Sequence, residues 1–210
     1  SSAASDVYKR QIRNNGHLGG EVVITPEELR ELKDFKINID SDEIRFKEII
    51  KRKLLANNRI LHVLSDKTLE ESGAEPDEYF GRNIIPYYMI SSTQTDVQNF
   101  ICYEISFDEM PKYNNVFKYN QIIFYILCGL KNGIDKATGI ARHDLLAALI
   151  LDEFNWTNYF GNQIHCVQNK PSIVDTNYAC RTLIFEMETP AGITKTRNKK
   201  PKVVTSEVHT

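Results

Sequence analysis

The stretch RHDLLAALILDEFNW, residues 142–156, decides how the rest of the chain has to fold. Seven consecutive apolar residues, 145–151, lie in it between a polar start at Arg142 and the acidic pair Asp152 and Glu153. Its length and its Leu and Ala content predict a helix rather than a strand. A helix that is apolar all round must be buried on more than one face. Strand-like neighbours can cover one face, so a second subunit is a candidate for the other.

The composition bounds the class of protein. The 210 residues are enough for one domain with a core and a small addition. With 41% hydrophobic residues, 26% charged residues and a net charge of -2, the chain has no field of one sign that would recruit nucleic acid or a membrane. No run approaches the roughly 18 apolar residues of a bilayer span. We therefore expect a soluble globular protein.

The four cysteines are far apart, and each falls in a strand-like segment. Their spacing is neither that of a zinc knuckle nor that of a redox pair. We expect small buried side chains in a reducing compartment at Cys102, Cys128, Cys166 and Cys180.

Four segments are predicted along the chain. Residues 1–11 (SSAASDVYKRQ) resemble translated adapter sequence, an artefact, and are left out of the fold prediction. Residues 12–40 form an extension with one short helix, whose capping box is Thr25-Pro26-Glu27-Glu28. Residues 41–189 form a single α+β domain. Residues 190–210 form a basic tail without apolar periodicity, which we expect to be disordered.

Within the domain, periodicity predicts the elements in order. An amphipathic helix follows residues 40–43, and a further short helical turn covers residues 60–64. Strands are expected at residues 84–90, where Pro86 favours an edge, from Asn99, and at residues 117–128. The second half of the strand at 117–128, residues 122–127, is apolar at both odd and even positions. This half should therefore be central in the sheet and covered on both faces. The sequence pattern predicts two more strands, at residues 162–168 and 179–188, joined by residues 171–178.

The pair His143-Asp144 invites an acid–base interpretation. Adjacent helical residues point about 100° apart, so the two are not expected to pair with each other. Asp144 suits the helix dipole, and His143 suits a surface or capping position. No catalytic residue is predicted.

Metal and ligand sites find little support. A set of His143, His165, Cys166 and Cys180 is conceivable, but His165 and Cys166 should point to opposite faces of a strand. No phosphate loop, GxSxG or HExxH motif is present in the sequence. We expect no metal, cofactor or small-molecule substrate. Two rival hypotheses stay open: a small metal-dependent hydrolase using His143 and His165, and a nucleic-acid-binding module working through residues 195–202.

The order of elements resembles that of the tail-terminator and head-to-tail joining (tail-completion) proteins of long-tailed bacteriophages. The resemblance covers about residues 44–188. It is carried by IRFKEIIKRKLLANNRILHVL (44–64), PYYMI (86–90), QIIFYILC (121–128), ARHDLLAALILDEFN (141–155), Asp175, Tyr178 and RTLIFEME (181–188).

This resemblance implies an α+β fold with a mainly antiparallel curved sheet and helices packed on one face. It also implies a non-enzymatic homo-oligomeric ring that ends the tail tube and joins it to the head connector. Tail-tube and head-connector proteins would be the partners, with no membrane, and DNA would at most pass through the lumen. The protein would be assembled in the bacterial cytoplasm and reside in the neck of the virion. Residues 22–40 and the basic tail have no place in the minimal pattern, so a head-completion (stopper) protein or another minor virion protein is the alternative.

The contact between subunits is predicted on the uncovered part of the apolar helix and just beyond it. The candidate residues are Leu145, Ala148, Leu149, Leu151, Trp156 and Phe160.

Overall fold

The computed structural model describes residues 24–34, 42–89, 99–107, 117–175 and 177–190. Residues 1–11, assigned above to adapter sequence, and residues 191–210 of the predicted basic tail lie outside these ranges. The chain divides into two compact units, Ser1–Asp34 and Phe35–Thr210, and each is described by itself.

The first unit contributes one described element, helix α1 (Pro26–Asp34). The predicted capping box is present, since the Glu28 amide donates to Thr25 Oγ1 at 3.2 Å and the Thr25 amide donates to the Glu28 carboxylate at 2.8 Å. The same hydrogen bonds lower the pKa of Glu28. Every side chain from residue 24 to residue 34 is exposed.

The described residues of the second unit include four helices: α2 (Asp42–Ala56), α3 (Asn58–Leu64), α4 (Lys67–Ser72) and α5 (Arg142–Phe154). Two single turns of 3-10 helix, Pro76–Tyr79 and Leu130–Asn132, join them to the strands. Asn57 ends α2 and starts α3, because its side-chain oxygen accepts from the amides of Arg59 and Ile60 at 3.2 and 3.4 Å.

Five strands form one sheet: β1 (Ile84–Ile85), β2 (Asn99–Phe107), β3 (Phe117–Gly129), β4 (His165–Asp175) and β5 (Tyr178–Pro190). Their spatial order is β1-β2-β3-β5-β4. β1 runs parallel to β2, and the other pairs are antiparallel. The predicted α+β class with a mainly antiparallel sheet is confirmed.

The two faces of the sheet are covered differently. Phe124 of β3 faces the helices and meets Phe154 and Phe185 at ring-centroid distances of 5.4 and 5.7 Å. The opposite face carries a smaller cluster without helical members among the described residues: Ile85, Phe100, Cys102, Leu127 and Cys180. The prediction that residues 122–127 are covered on both faces is therefore wrong in part, because Ile123 stays half-buried on the face that has no helix.

Helix α5 finds its second cover within the chain. Its buried residues Leu146, Ala147 and Ile150 belong to the main core, and α3 packs on the helix in addition to β3 and β5. Polar contacts accompany this packing: Arg59 with Asp152 at 3.0 Å, Asn57 with Glu153 at 3.1 Å, and Arg142 with the Val63 carbonyl at 2.8 Å. Helix α3 therefore covers a second side of the apolar run, while Ala148 stays exposed and Leu145, Leu149 and Leu151 stay half-buried.

Two strands differ from the prediction around prolines. β1 ends at Ile85, immediately before Pro86, instead of extending to residue 90. β4 continues through Pro171, which was expected in a connection. This position is tolerated because β4 is the last strand of the sheet, and an edge strand can accept a residue without an amide hydrogen.

Candidate functional site

The predicted contact surface lies along the outward side of α5. Ala148 is exposed and Leu145 and Leu149 are half-buried, with the i, i+3, i+4 spacing that places three residues on one side of a helix. Leu151 is half-buried as well and packs against the main core. The outward side of α5 is therefore apolar but narrow.

Phe160 does not belong to this surface. Its side chain is 1% exposed and its ring lies 5.1 Å from the ring of Phe46 and 6.3 Å from that of Phe154. The segment after α5 folds back and inserts Phe160 into the core. The prediction of Phe160 as a contact residue is wrong.

Trp156, by contrast, projects into solvent with 62% of its surface exposed. Its φ angle of 61° lies in the left-handed region, which a bulky side chain rarely adopts. Its amide donates to the Ile164 carbonyl at 2.8 Å, and its ring stacks on His165 at 5.5 Å and 16°. Backbone strain of this kind clusters at functional sites in proteins generally. We call Leu145, Ala148, Leu149 and Trp156 the α5 surface.

A groove adjoins the C-terminal end of α5. It has a volume of about 440 Å³ and is lined by Ile49, Arg52, Lys53, Ala56 and Tyr159. Lys53 forms one wall, with its ammonium group 3.6 Å from the centroid of the Tyr159 ring and 3.7 Å from the Glu153 carboxylate. We call this feature the α2 groove.

A polar cluster lies at the other end of α5. His143 Nε2 is 3.3 Å from Asp144 Oδ1, which also accepts from Arg181 Nε at 2.7 Å. Arg181 Nη1 donates in turn to Asn169 Oδ1 at 2.7 Å. The expectation that His143 and Asp144 do not pair is wrong, because side-chain torsions bring the Asp144 carboxylate to both His143 Nε2 and Arg181 Nε despite the 100° between the directions of residues 143 and 144. The cluster contains no nucleophilic side chain, so it supports an orienting contact between α5 and the sheet.

The residues of the conceivable metal site are not brought together. His143 is at the start of α5 and His165 stacks on Trp156 beyond its end, and a helix of 13 residues is about 20 Å long. Cys180 is buried on the opposite face of the sheet. Among the residues that the structure describes, no three His, Cys, Asp or Glu side chains are arranged to hold a metal ion.

The cysteines are buried as expected, with Cys166 only half-buried. Burial raises the pKa of Cys102 to about 11 and that of Cys128 to about 12. Neither thiol is therefore primed as a nucleophile at neutral pH.

The loop between β3 and α5 is a feature that the sequence prediction missed. Its centre is the buried Asp135, whose carboxylate lies 3.4 Å from Arg142 Nη2 and accepts from the amide and hydroxyl of Thr138 at 3.0 and 2.8 Å. The Thr138 hydroxyl contributes most to lowering the pKa of Asp135. Around this centre the loop exposes three large apolar side chains: Leu130, Ile134 and Ile140. The spacing of Asp135 and Thr138 before Gly139 is the feature of the sequence that could have predicted a tight turn in this loop.

The described residues thus form an α+β unit with an exposed aromatic and apolar helix surface. Its class is that of a phage-associated protein, because the YomW family model matches residues 57–187, more than half of the chain. The chain belongs to the YomW family. No curated protein matches the chain. Within the described residues, no helix is long and apolar enough to cross a membrane.

Proposed function

We propose that the chain is a non-enzymatic virion-assembly protein of a tailed phage. In this proposal it forms a homo-oligomeric ring in the neck, where it ends the tail tube and joins it to the head connector. Membership of a phage-associated family is the observation that carries the proposal. A head-completion protein or another minor virion protein would use the same kind of contact and is the alternative within this class.

The α5 surface is the part of the fold best suited to contact between subunits. Ala148 leaves room for close approach of another element, and the half-buried Leu145 and Leu149 flank it on the same side of the helix. Trp156 supplies a large, exposed aromatic side chain, the type that dominates the energetics of protein interfaces. Small, aliphatic and aromatic residues thus lie along one helix and its end, as an interface core requires.

A charge placed at the centre of this surface tests the proposal. Ala148→Asp should leave the monomer folded, because residue 148 is exposed, but it should prevent assembly by burying an unpaired carboxylate in the contact. Ala137→Asp, in the exposed turn before α5, is the matched control and should assemble normally. Native mass spectrometry gives the oligomeric state, and electron microscopy of tail-tube protein polymerised with each variant gives the distribution of tube lengths.

The results separate the possibilities. Full assembly of Ala148→Asp would remove the α5 surface from the proposal. An unaltered chain that stays monomeric at micromolar concentration, both alone and with tail-tube and head-connector proteins, would refute the ring.

A further inference from the structure

The chain leaves strand β5 with a sequence that predicts a reversal. β5 ends at Pro190, and residues 189–192 (TPAG) have proline second and glycine fourth, the pattern of a type I turn. From Glu186 back to Tyr178, both edges of β5 are paired, one with β3 and the other with β4. A segment that turns back along this part of β5 must therefore lie over one of the two faces of the sheet.

At this end of β5 the two faces of the sheet differ in cover. Phe185 and Met187 point toward the helices and are 0% and 2% exposed. Ile184, Glu186 and Glu188 alternate with them and point to the opposite face, where Glu188 is exposed and the other two are half-buried. This opposite face, which has no helical cover among the described residues, therefore has space for a further segment.

The face opposite the helices is acidic as well as apolar. Ile123 and Ile184 are cross-strand partners, and Glu104 lies opposite Ile123 on β2. Glu186 and Glu188 follow along β5, with about 7 Å between their positions. None of the three carboxylates has a Lys or Arg within salt-bridge distance among the described residues. We call these five residues the acidic face.

The residues after the turn match the acidic face in charge and in spacing. Residues 193–202 (ITKTRNKKPK) contain five basic residues and no acidic one. Lys195, Arg197 and Lys199 occupy alternate positions, so in an extended backbone they would lie on one side, about 7 Å apart. The spacing of Glu186 and Glu188 along β5 is the same, so an extended segment can form two ion pairs in one register.

We propose that residues 193–199 fold back over the acidic face of their own chain. Basic side chains of this segment then pair with Glu186 and Glu188. Their apolar stems cover Ile123 and Ile184, as lysine and arginine stems do on apolar surfaces generally. The inference goes beyond the proposed ring and does not depend on self-association.

The covalent connection makes the chain's own segment the favoured occupant. Six residues separate Glu188 from Lys195, so the local concentration of the basic segment at the acidic face is high. Exposed ion pairs contribute little each, which puts the same segment of a second copy at a disadvantage. Lys170, which lies opposite Thr182 on the edge strand, borders the acidic face and repels a basic segment that would extend further toward β4.

Trypsin cleavage of the full chain measures whether the segment is docked. Glu186→Gln with Glu188→Gln removes two carboxylates and should speed cleavage after Lys195 and Arg197 by roughly two- to twenty-fivefold, the range of two exposed ion pairs. A higher salt concentration should speed cleavage of the unaltered chain in the same way, because it screens exposed charges. Rates are read by mass spectrometry relative to a free peptide of residues 191–205.

A matched control separates docking from a general effect of charge. Glu70→Gln with Glu71→Gln makes the same change of charge at two exposed positions of α4. This variant should be cleaved at the rate of the unaltered chain, because α4 contributes nothing to the acidic face.

Cross-linking within one chain tests which face the segment covers. Arg197→Cys is combined with Glu104→Cys or with Asn162→Cys, and a short bismaleimide joins the thiols. Asn162 is the control for reach, because its side chain donates to the Glu188 carbonyl and so lies beside the same end of β5. Linkage to residue 104 should exceed linkage to residue 162 by about fivefold or more, because docking raises the local concentration there. The unaltered chain gives the background from the native cysteines.

Each remaining outcome contradicts the inference. If neither the glutamine variant nor salt changes cleavage relative to the peptide, these carboxylates do not hold the segment. If linkage to residue 162 equals or exceeds linkage to residue 104, the segment does not lie on the acidic face. If cleavage slows as protein concentration rises, or the cross-link joins two chains, the acidic face binds the segment of a second copy instead. None of these measurements requires self-association, so the proposed ring is tested separately.

Discussion

Replacement of Arg142 by Met tests which contacts hold the loop before α5. Arg142 is 5% exposed although it is the first residue of its helix. Its guanidinium donates to the Val63 carbonyl at 2.8 Å and lies 3.4 Å from the Asp135 carboxylate, so one side chain joins α3, α5 and the loop. Met fills a similar volume without the charge or the donors, and it removes both contacts at once.

The expected loss of stability follows from these contacts. The hydrogen bond from the charged Arg142 to the Val63 carbonyl contributes about 1.5–3 kcal/mol. Since domains are stable by roughly 5–15 kcal/mol, Arg142→Met should remove about a tenth or more of the free energy of unfolding. The melting temperature should then fall by about 3–12 °C.

Urea denaturation followed by circular dichroism measures the change. Arg181→Met is the matched control, because Arg181 also bonds a carboxylate of α5 but its side chain is 22% exposed and that of Asp144 is 42% exposed. This exposed pair should contribute about 1 kcal/mol or less. Equal losses for the two variants, or a loss below about 1 kcal/mol for Arg142→Met, would show that the buried pair does not fix the loop.

Three further outcomes are expected. Phe124→Ala should cost about 3–5 kcal/mol in the same denaturation experiment, because it opens a cavity among the rings of Phe154 and Phe185. With a thiol-alkylating reagent at pH 8 and mass spectrometry, the half-buried Cys166 should react before the buried Cys128, whose pKa is about 12, and equal rates would contradict this order. Burial raises the pKa of Asp66, but hydrogen bonds from Arg82 and the Leu69 amide outweigh it and leave the pKa below 3.8. The ionised carboxylate therefore stabilises the folded state above that pH, and this stabilisation is lost on acidification. Asp66→Asn should therefore flatten the fall of stability between pH 5 and 3, and an unchanged slope would count against this assignment.

Local patterns predicted the elements well. The capping box at Thr25 and Glu28 and the alternation of Ile101 and Tyr103 are contained in a few neighbouring residues, and the structure has the expected helix and strand there. The mainly antiparallel sheet was what the resemblance to tail-terminator and joining proteins implied, and the structure has it.

The packing of α5 could not be predicted from such patterns. Its cover by α3 joins residues that are far apart in the sequence: Arg59 meets Asp152 across 93 positions and Asn57 meets Glu153 across 96. A run of apolar residues shows that a helix is buried, but it carries no information about which element buries it. The second subunit suggested for the other face of this helix stays a prediction.

The candidate site was predicted unevenly for a similar reason. Ala148 and Trp156 are exposed as expected, but Phe160 is in the core because the backbone reverses at Trp156 and again at Gly161, whose φ is 101°. Left-handed backbone at a tryptophan has no sequence signature, so periodicity continued past the helix assigned the wrong side to Phe160. The α2 groove was missed because Tyr159 reaches it only after the backbone has reversed at Trp156.

The edge strand β4 bears on where the proposed contact between copies should lie. β4 is the last strand of the sheet, and a free edge can recruit strands of other chains. Here it contains Pro171, which lacks an amide hydrogen, an exposed Lys170, and irregularities of register between Cys166 and Gln168 and again between Ile173 and Asp175. Proline, lysine and bulges are the features that prevent edge-to-edge pairing. Because this edge is poorly suited to strand addition, the proposed association between copies should use side-chain contacts such as those of the α5 surface.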